Sequence, residues 1–160
     1  MEIRLIRDGE VADLAAITVT AYEALFDDLG DYRQELADVA DRAERAAVLV
    51  AVSDGRVLGG VTYVPGADNP YAEFDDPDAA GIRMLAVDPA GRARGAGTAL
   101  VRACVDRARG EGRRRVVLHS TERMAAAQRI YVREGFARAP ERDWEPEPGL
   151  VLCGYLLDLA

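Results

Sequence analysis

The residues best placed to do chemistry lie together in Met84-Leu-Ala-Val-Asp-Pro-Ala-Gly-Arg92-Ala-Arg94-Gly95-Ala96-Gly97-Thr98-Ala99-Leu100. An apolar run enters a turn of arginine and glycine, and the turn opens onto a helical pattern. That order builds an anion site. Glycines permit close backbone approach, and the N–H groups of a first helical turn have no partner within the helix. Arg92 and Arg94 flank the turn and can add charge-assisted hydrogen bonds to a pyrophosphate. The implied ligand carries phosphate.

Two common phosphate loops do not fit. A dinucleotide fingerprint needs a third glycine three residues beyond a close pair, and Leu100 holds that place after Gly95 and Gly97. A nucleoside-triphosphate loop needs a lysine before Ser or Thr. The chain has no lysine; all 20 residues of its Lys and Arg total are arginines.

What remains, Arg-x-Arg-Gly-x-Gly directly after Leu-Ala-Val-Asp-Pro, resembles the acetyl-CoA pyrophosphate loop of the GNAT family of N-acetyltransferases. A second block, Met124-Ala-Ala-Ala127-Gln-Arg-Ile-Tyr131-Val-Arg-Glu-Gly135-Phe136, is similar to that family's later helix, which ends in Tyr-x-x-x-Gly-Phe. The resemblance is carried by residues 81–136 and extends over 1–160, read as one N-acetyltransferase domain. It implies an α+β (mixed α/β) fold with a central mixed, twisted sheet of about seven strands and helices on both faces. Two parallel strands, 82–87 and 116–119, would splay apart around the pantetheine arm.

The resemblance further implies acetyl-CoA as acyl donor and no metal. Arg92, Arg94, Gly95, Ala96, Gly97, Thr98 and Ala99 would cradle its diphosphate. Ala86, Val87, Met124 and Ala127 would line the arm, and the backbone N–H of Leu85 would polarise the thioester carbonyl. Tyr131 would donate a proton to the leaving thiolate, a task that suits a phenol of pKa about 10. Met124 stands where the family often carries Asn, which puts one arm contact in doubt. Arg129 and Arg133 fall on the helix face opposite Tyr131 and read as solvated charges.

The general base departs from the family pattern. Gly81 occupies the strand position where many members carry Glu, and others carry His there or at the position of Arg83. The carboxylate candidates are Glu23 and Asp27 in a first helix, Glu73, Asp75 and Asp76 in a flexible acidic loop, and Asp143 beside Trp144. The lone His119 can orient a water or serve as a structural strand-end histidine. A water chain without a dedicated base also stands. The expected reaction is acetyl transfer to a primary amine of a small molecule or peptide, by direct attack on the thioester. The alternative is an acyl-CoA-binding sensor or interaction module without efficient turnover. The acidic loop and Asp143-Trp144-Glu145 suit a cationic amine through steering and cation–π contact; solubility explains the same acidity equally well.

Composition bounds these readings. With 160 residues, 49% hydrophobic and 30% charged, the chain suits a globular protein that buries about two thirds of its unfolded surface. A net charge of −8 opposes nucleic acid as a partner. No apolar run nears the ~20 residues of a membrane span, and Met1-Glu-Ile-Arg opens a strand pattern, not a secretory signal. Cys104 and Cys153 fall in apolar patterns and read as buried reduced thiols, so cytoplasmic residence is expected. A homodimer is compatible with such folds. Arg113-Arg114-Arg115, the one basic run, sits where arginines complement a helix C-terminus.

Periodicity supplies the elements. Strands are expected at 3–6, 48–52, 57–64, 82–87, 116–118, 136–142 and 150–159. Helices are expected at 10–26 with Asp8 as N-cap, at 32–47, at 97–109 and around Tyr131. In the 97–109 helix, Leu100, Val101, Cys104, Val105 and Ala108 form the buried stripe.

Overall fold

The structure is a computed structural model and describes residues 1–159. Eight strands form the sheet: β1 (Glu2–Leu5), β2 (Ala47–Ser53), β3 (Arg56–Val64), β4 (Ala79–Val87), β5 (Arg115–Ser120), β6 (Ala137–Arg138), β7 (Trp144–Glu147) and β8 (Leu150–Asp158). Six helices accompany them: α1 (Val11–Glu23), α2 (Tyr32–Ala37), α3 (Val39–Arg45), α4 (Pro89–Arg92), α5 (Ala96–Gly110) and α6 (Ala125–Arg133). The strand order is β1-β2-β3-β4-β5-β8-β6, with β7 paired on β8. All neighbours are antiparallel except β4 and β5.

The central strands are apolar and buried on both faces, as a sheet covered on both sides requires. On one face α5 packs its stripe of Leu100, Val101, Cys104, Val105 and Ala108 against Leu49, Val61, Ile82 and Leu118. On the other, α1 and α3 cover Val48, Val50 and Val52. Both cysteines are free and buried.

Several expectations need correction. The predicted 32–47 helix is broken at Asp38 (φ −82°, ψ 61°), whose carboxylate caps α3 through the Asp41 N–H. Buried Arg42 stabilises the break by donating to the carbonyls of Glu35 and Leu36 and to the Thr62 hydroxyl. Asp8 is not the cap of α1: residues 8–10 form a 3-10 turn, and Glu10 accepts the Arg7 N–H. The expected strand at 136–142 shrinks to two residues, because Pro140 lacks an N–H and opens a 3-10 turn. The sheet gains β7, whose side chains are all exposed and show no core alternation.

The 65–78 loop is tied down, against its expected flexibility. Asn69 donates to the Arg45 carbonyl, Tyr71 donates to Asp41, and Arg115 holds Asp76 at 2.6 Å. In the basic run, Arg113 donates to the Pro77 carbonyl and Arg115 pairs with Asp76, so these arginines anchor that loop.

Candidate active site

The turn between β4 and α5 is shaped by local chemistry. Asp88 caps α4 by accepting the Ala90 N–H at 2.9 Å, and Pro89 supplies the first helical residue. Gly91 packs so tightly on β3 that a Cβ would lie 2.8 Å from the Leu58 carbonyl oxygen. Gly95 then adopts the left-handed conformation (φ 74°) and starts α5 with no side-chain cap. The Ala99 N–H donates to the Gly95 carbonyl. Among the described residues no acceptor meets the N–H groups of Ala96, Gly97 and Thr98. Three adjacent amides at a helix head thus remain free for an anion.

The two glycines do different work. A Cβ on Gly95 would meet nothing within 4 Å, so its requirement is conformational. A Cβ on Gly97 would lie 2.8 Å from Ile130 and 3.6 Å from Val87. Gly97 therefore lets the head of α5, the end of β4 and the middle of α6 converge. Arg92 and Arg94 are exposed at this turn; Arg94 donates to the Ser53 hydroxyl at 2.6 Å.

β4 and β5 pair only through Ala79, Ala80 and Gly81 against Arg115, Val116 and Val117. Beyond Gly81 the strands part, and β5 continues with β8 as far as Ser120. The parting coincides with an irregularity in β4. Met84 has φ 56°, rare for a long side chain, and the β3–β4 register slips opposite Val61. Such a bulge re-aims the strand, and strain of this kind costs on the order of 1–3 kcal/mol.

A cavity of about 500 Å³ opens at the parting, between Gly81–Met84 of β4 and Val117–Thr121 at the end of β5. Its outer walls come from α1, α2, the 70–74 segment and the β7–β8 hairpin. Phe74 packs on Gly81, where a Cβ would lie 2.6 Å from its ring. The absence of a side chain at Gly81 is what admits that ring.

Leu85, Val87 and Ala127 are half-buried against the same core as Tyr131, whereas Met124 packs with Tyr22 and Met84 at the cavity. Met124 precedes α6 as its N-cap residue, and does not lie within the helix. Tyr131 is 5% exposed, with Phe136 and Tyr155 rings 5.8 and 6.2 Å away. Burial pushes its phenol well above the usual range, and no hydrogen bond offsets this. Arg129 and Arg133 are exposed on the other face of α6.

Among the base candidates, Glu73 and His119 line the cavity. Glu73 is paired to Arg83 at 2.5 Å. His119 Nε2 lies 2.8 Å from the Arg142 carbonyl. A carbonyl only accepts, so Nε2 carries the proton and the lone pair of neutral His119 resides on Nδ1. Asp76 is locked between Arg115 and Arg142, which hold its carboxyl down at about 2. Asp143 is held at about 2 by Arg138 and the Gly154 N–H. Glu23 pairs with Arg33 at 3.4 Å; Asp27 lies beyond the end of α1 and is exposed, as is Asp75. None of these four lines the cavity, and neither does Asp143.

Sequence reasoning missed Tyr22, Tyr32, Glu35 and Glu147 as wall residues, because they come from elements far apart in the chain. It also missed the Met84 bulge, for which methionine gives no signal.

A parted parallel strand pair, a strand bulge and an uncapped helix head thus leave an open strand edge beside three free amides. The sequence model of the Acetyltransferase (GNAT) family matches residues 11–136, and the chain belongs to that family. No curated protein sequence matches it. Among solved structures, a ribosomal-protein-alanine N-acetyltransferase from Brucella melitensis is similar at 20% identity and TM-score 0.73, covering 99% of this chain and 100% of its own. The structure of yncA from Salmonella typhimurium with its cofactor acetyl-CoA is similar at 24% identity and TM-score 0.72, covering 100% and 94%. A GNAT acetyltransferase from Staphylococcus aureus Mu50 reaches TM-score 0.79 at 14% identity, covering 99% of each chain. The protein is a GNAT acetyltransferase, and acetyl-CoA is the donor this family membership supports.

Proposed function

We propose that the protein transfers the acetyl group of acetyl-CoA to a primary amine of a small molecule or peptide by direct attack on the thioester. The observation that carries this reading is the trio of free amides at Ala96–Thr98 beside the end of β4, where β5 has turned away. Those amides, with Arg92 and Arg94, would hold the diphosphate. The side chain of Thr98 adds a hydroxyl to the cradle, while the Ala99 N–H is spent on the Gly95 carbonyl and closes the first turn of α5.

The Asp88 N–H donates to Leu58 of β3. Strand alternation then turns the Val87 amide away from β3, toward the side that β5 leaves open. In this reading Leu85, beside the Met84 bulge, is the donor to the thioester carbonyl, and Val87 is a strand-like partner for the arm. Ala86 faces the β3 ladder opposite Gly60 and contributes a small side chain. Ala127 flanks the same opening from α6, and Met124 from the residue just before that helix.

In the reaction the neutral amine nitrogen adds to the thioester carbonyl, the carbon–sulfur bond then breaks, and the nitrogen releases one proton to water as the amide forms. Tyr131 gives its proton to the departing sulfur and regains one from solvent. An ammonium acceptor must first lose a proton, and Nδ1 of His119 is the lone pair on the cavity wall suited to accept it, directly or through water. Two unpaired buried thiols fit a reducing compartment, and the reading is of a cytoplasmic enzyme. The test is release of free thiol from acetyl-CoA across an amine panel. Tyr131→Phe should slow it at least tenfold, and wild-type turnover in that variant would remove Tyr131 from the acid role.

A second reading is favoured by Gly81, where Phe74 packs in place of an acidic side chain: an acyl-CoA sensor of the same fold. Calorimetric CoA binding without turnover on any amine would select it.

A further inference from the structure

We infer that the cavity beside the parted strands accepts an amine carried on an apolar or aromatic body and bearing no acidic group, an arylalkylamine being the simplest member. The inference rests on the acetyl-transfer reading above.

Five rings, of Tyr22, Phe26, Tyr32, Phe74 and Trp144, contribute to the cavity wall, with Met84, Leu118 and Leu152 between them. A volume of about 500 Å³ is within the range of pockets for small organic ligands. A wall of this kind gains little from a short polar amine and much from a hydrocarbon body that removes its rings from water.

Charge sets the other half of the specificity. Asp28, Glu35, Glu73 and Glu147 all line the space. Among the described lining residues Arg83 is the one arginine, and it is already engaged. Glu73 lies 2.5 Å and Glu35 3.6 Å from its guanidinium, the Tyr71 carbonyl accepts from it at 3.3 Å, and the Tyr71 ring lies 5.9 Å away. Arg42 behind the wall is likewise spent on Thr62 and two carbonyls. Among the described lining residues no arginine is left free for a substrate carboxylate, and several anions would repel one. An ammonium group meets the opposite situation, attracted by Asp28 and Glu147 and by the ring faces.

One polar feature points to a ligand independently of the charges. Thr121, 6% exposed on the cavity wall at the end of β5, has a buried hydroxyl with no hydrogen-bond partner among the described residues. An orphaned hydroxyl at the parting costs stability unless a bound group satisfies it, and an amine N–H is a donor of the right kind.

Matched acceptors test this with the protein at saturating acetyl-CoA. Phenylalanine differs from 2-phenylethylamine by the carboxylate alone, and ethylamine lacks the ring. Thiol release should give 2-phenylethylamine a kcat/KM about a hundredfold above both. Phenylalanine carries the less basic amine, so chemistry alone would favour it, and the predicted order reports the cavity. The double variant Asp28→Asn/Glu147→Gln should raise KM for 2-phenylethylamine at least fivefold with kcat retained, while leaving phenylalanine unimproved in kcat. Where turnover is too slow to rank, calorimetric binding to the CoA-loaded protein gives the same order. Equal or better use of phenylalanine, or of ethylamine, overturns the inference, as does failure of all three to bind. Loss of CoA binding itself, measured without amine, overturns the acetyl-transfer reading and this inference with it.

Discussion

Tyr131 is buried among Phe136, Tyr155 and Cys104 with no group to stabilise its anion, so burial moves its phenol upward from the ordinary value. A raised pKa keeps the neutral, proton-donating form present to higher pH. The kcat profile should therefore show no alkaline fall attributable to this group up to about pH 10, and a fall near pH 8 that disappears in Tyr131→Phe would contradict the assignment. Because the hydroxyl has no hydrogen-bond partner, the same variant should keep its Tm within about 2 °C of wild type. Burial also pushes the Cys104 thiol up to about 12. Neither cysteine should react with an aromatic disulfide reagent until the protein unfolds, so thiol titration of the folded protein should read near zero. At this scale the turn glycines Gly95 and Gly97 were legible from residue type and spacing. The sorting of seven base candidates was not, since it depends on which arginine each carboxylate meets.

The elements carry two further predictions. Gly95 sits in the left-handed region with open space around it. Gly95→Ala should cost about 1–2 kcal/mol through conformation alone and weaken CoA binding severalfold, because relaxing the turn re-aims the amides at the head of α5. Calorimetry with chemical denaturation separates the two effects. Gly81→Glu, by contrast, should fail for steric reasons, since its Cβ would enter the Phe74 ring. It should lower Tm by several degrees, and adding Phe74→Ala should restore most of the loss. A single variant as stable as wild type would show that the ring has somewhere else to go. The break between α2 and α3 shows why element boundaries escaped the sequence: apolar periodicity runs through Leu36, Val39 and Ala43 without interruption. The chain bends there because Arg42 reaches back to the carbonyls at the end of α2. Likewise β7 forms by pairing with β8, with no buried face of its own to alternate.

For the whole molecule, binding to the folded state alone couples CoA to stability. At a hundredfold excess over Kd the gain is about 2.7 kcal/mol, a rise of roughly 5–10 °C in Tm for a chain of this size. NAD or ATP at the same concentration should shift it little, and a larger shift with either would point away from a CoA cleft. The amino-acid order alone determined the helix-opening turn at Gly95 and the position of most strands and helices, because each rests on periodicity or turn chemistry within a short stretch of chain, and the resemblance of two such stretches to a known family implied the mixed fold. Which carboxylates are spent on arginines, how Phe74 comes to cover Gly81, and how aromatic rings from α1 and its following turn, α2, the 70–74 segment and β7 enclose one cavity were decided only when the chain folded. Those relations depend on how separate elements pack together, and the periodicity of a strand or helix carries no record of what packs against its far side.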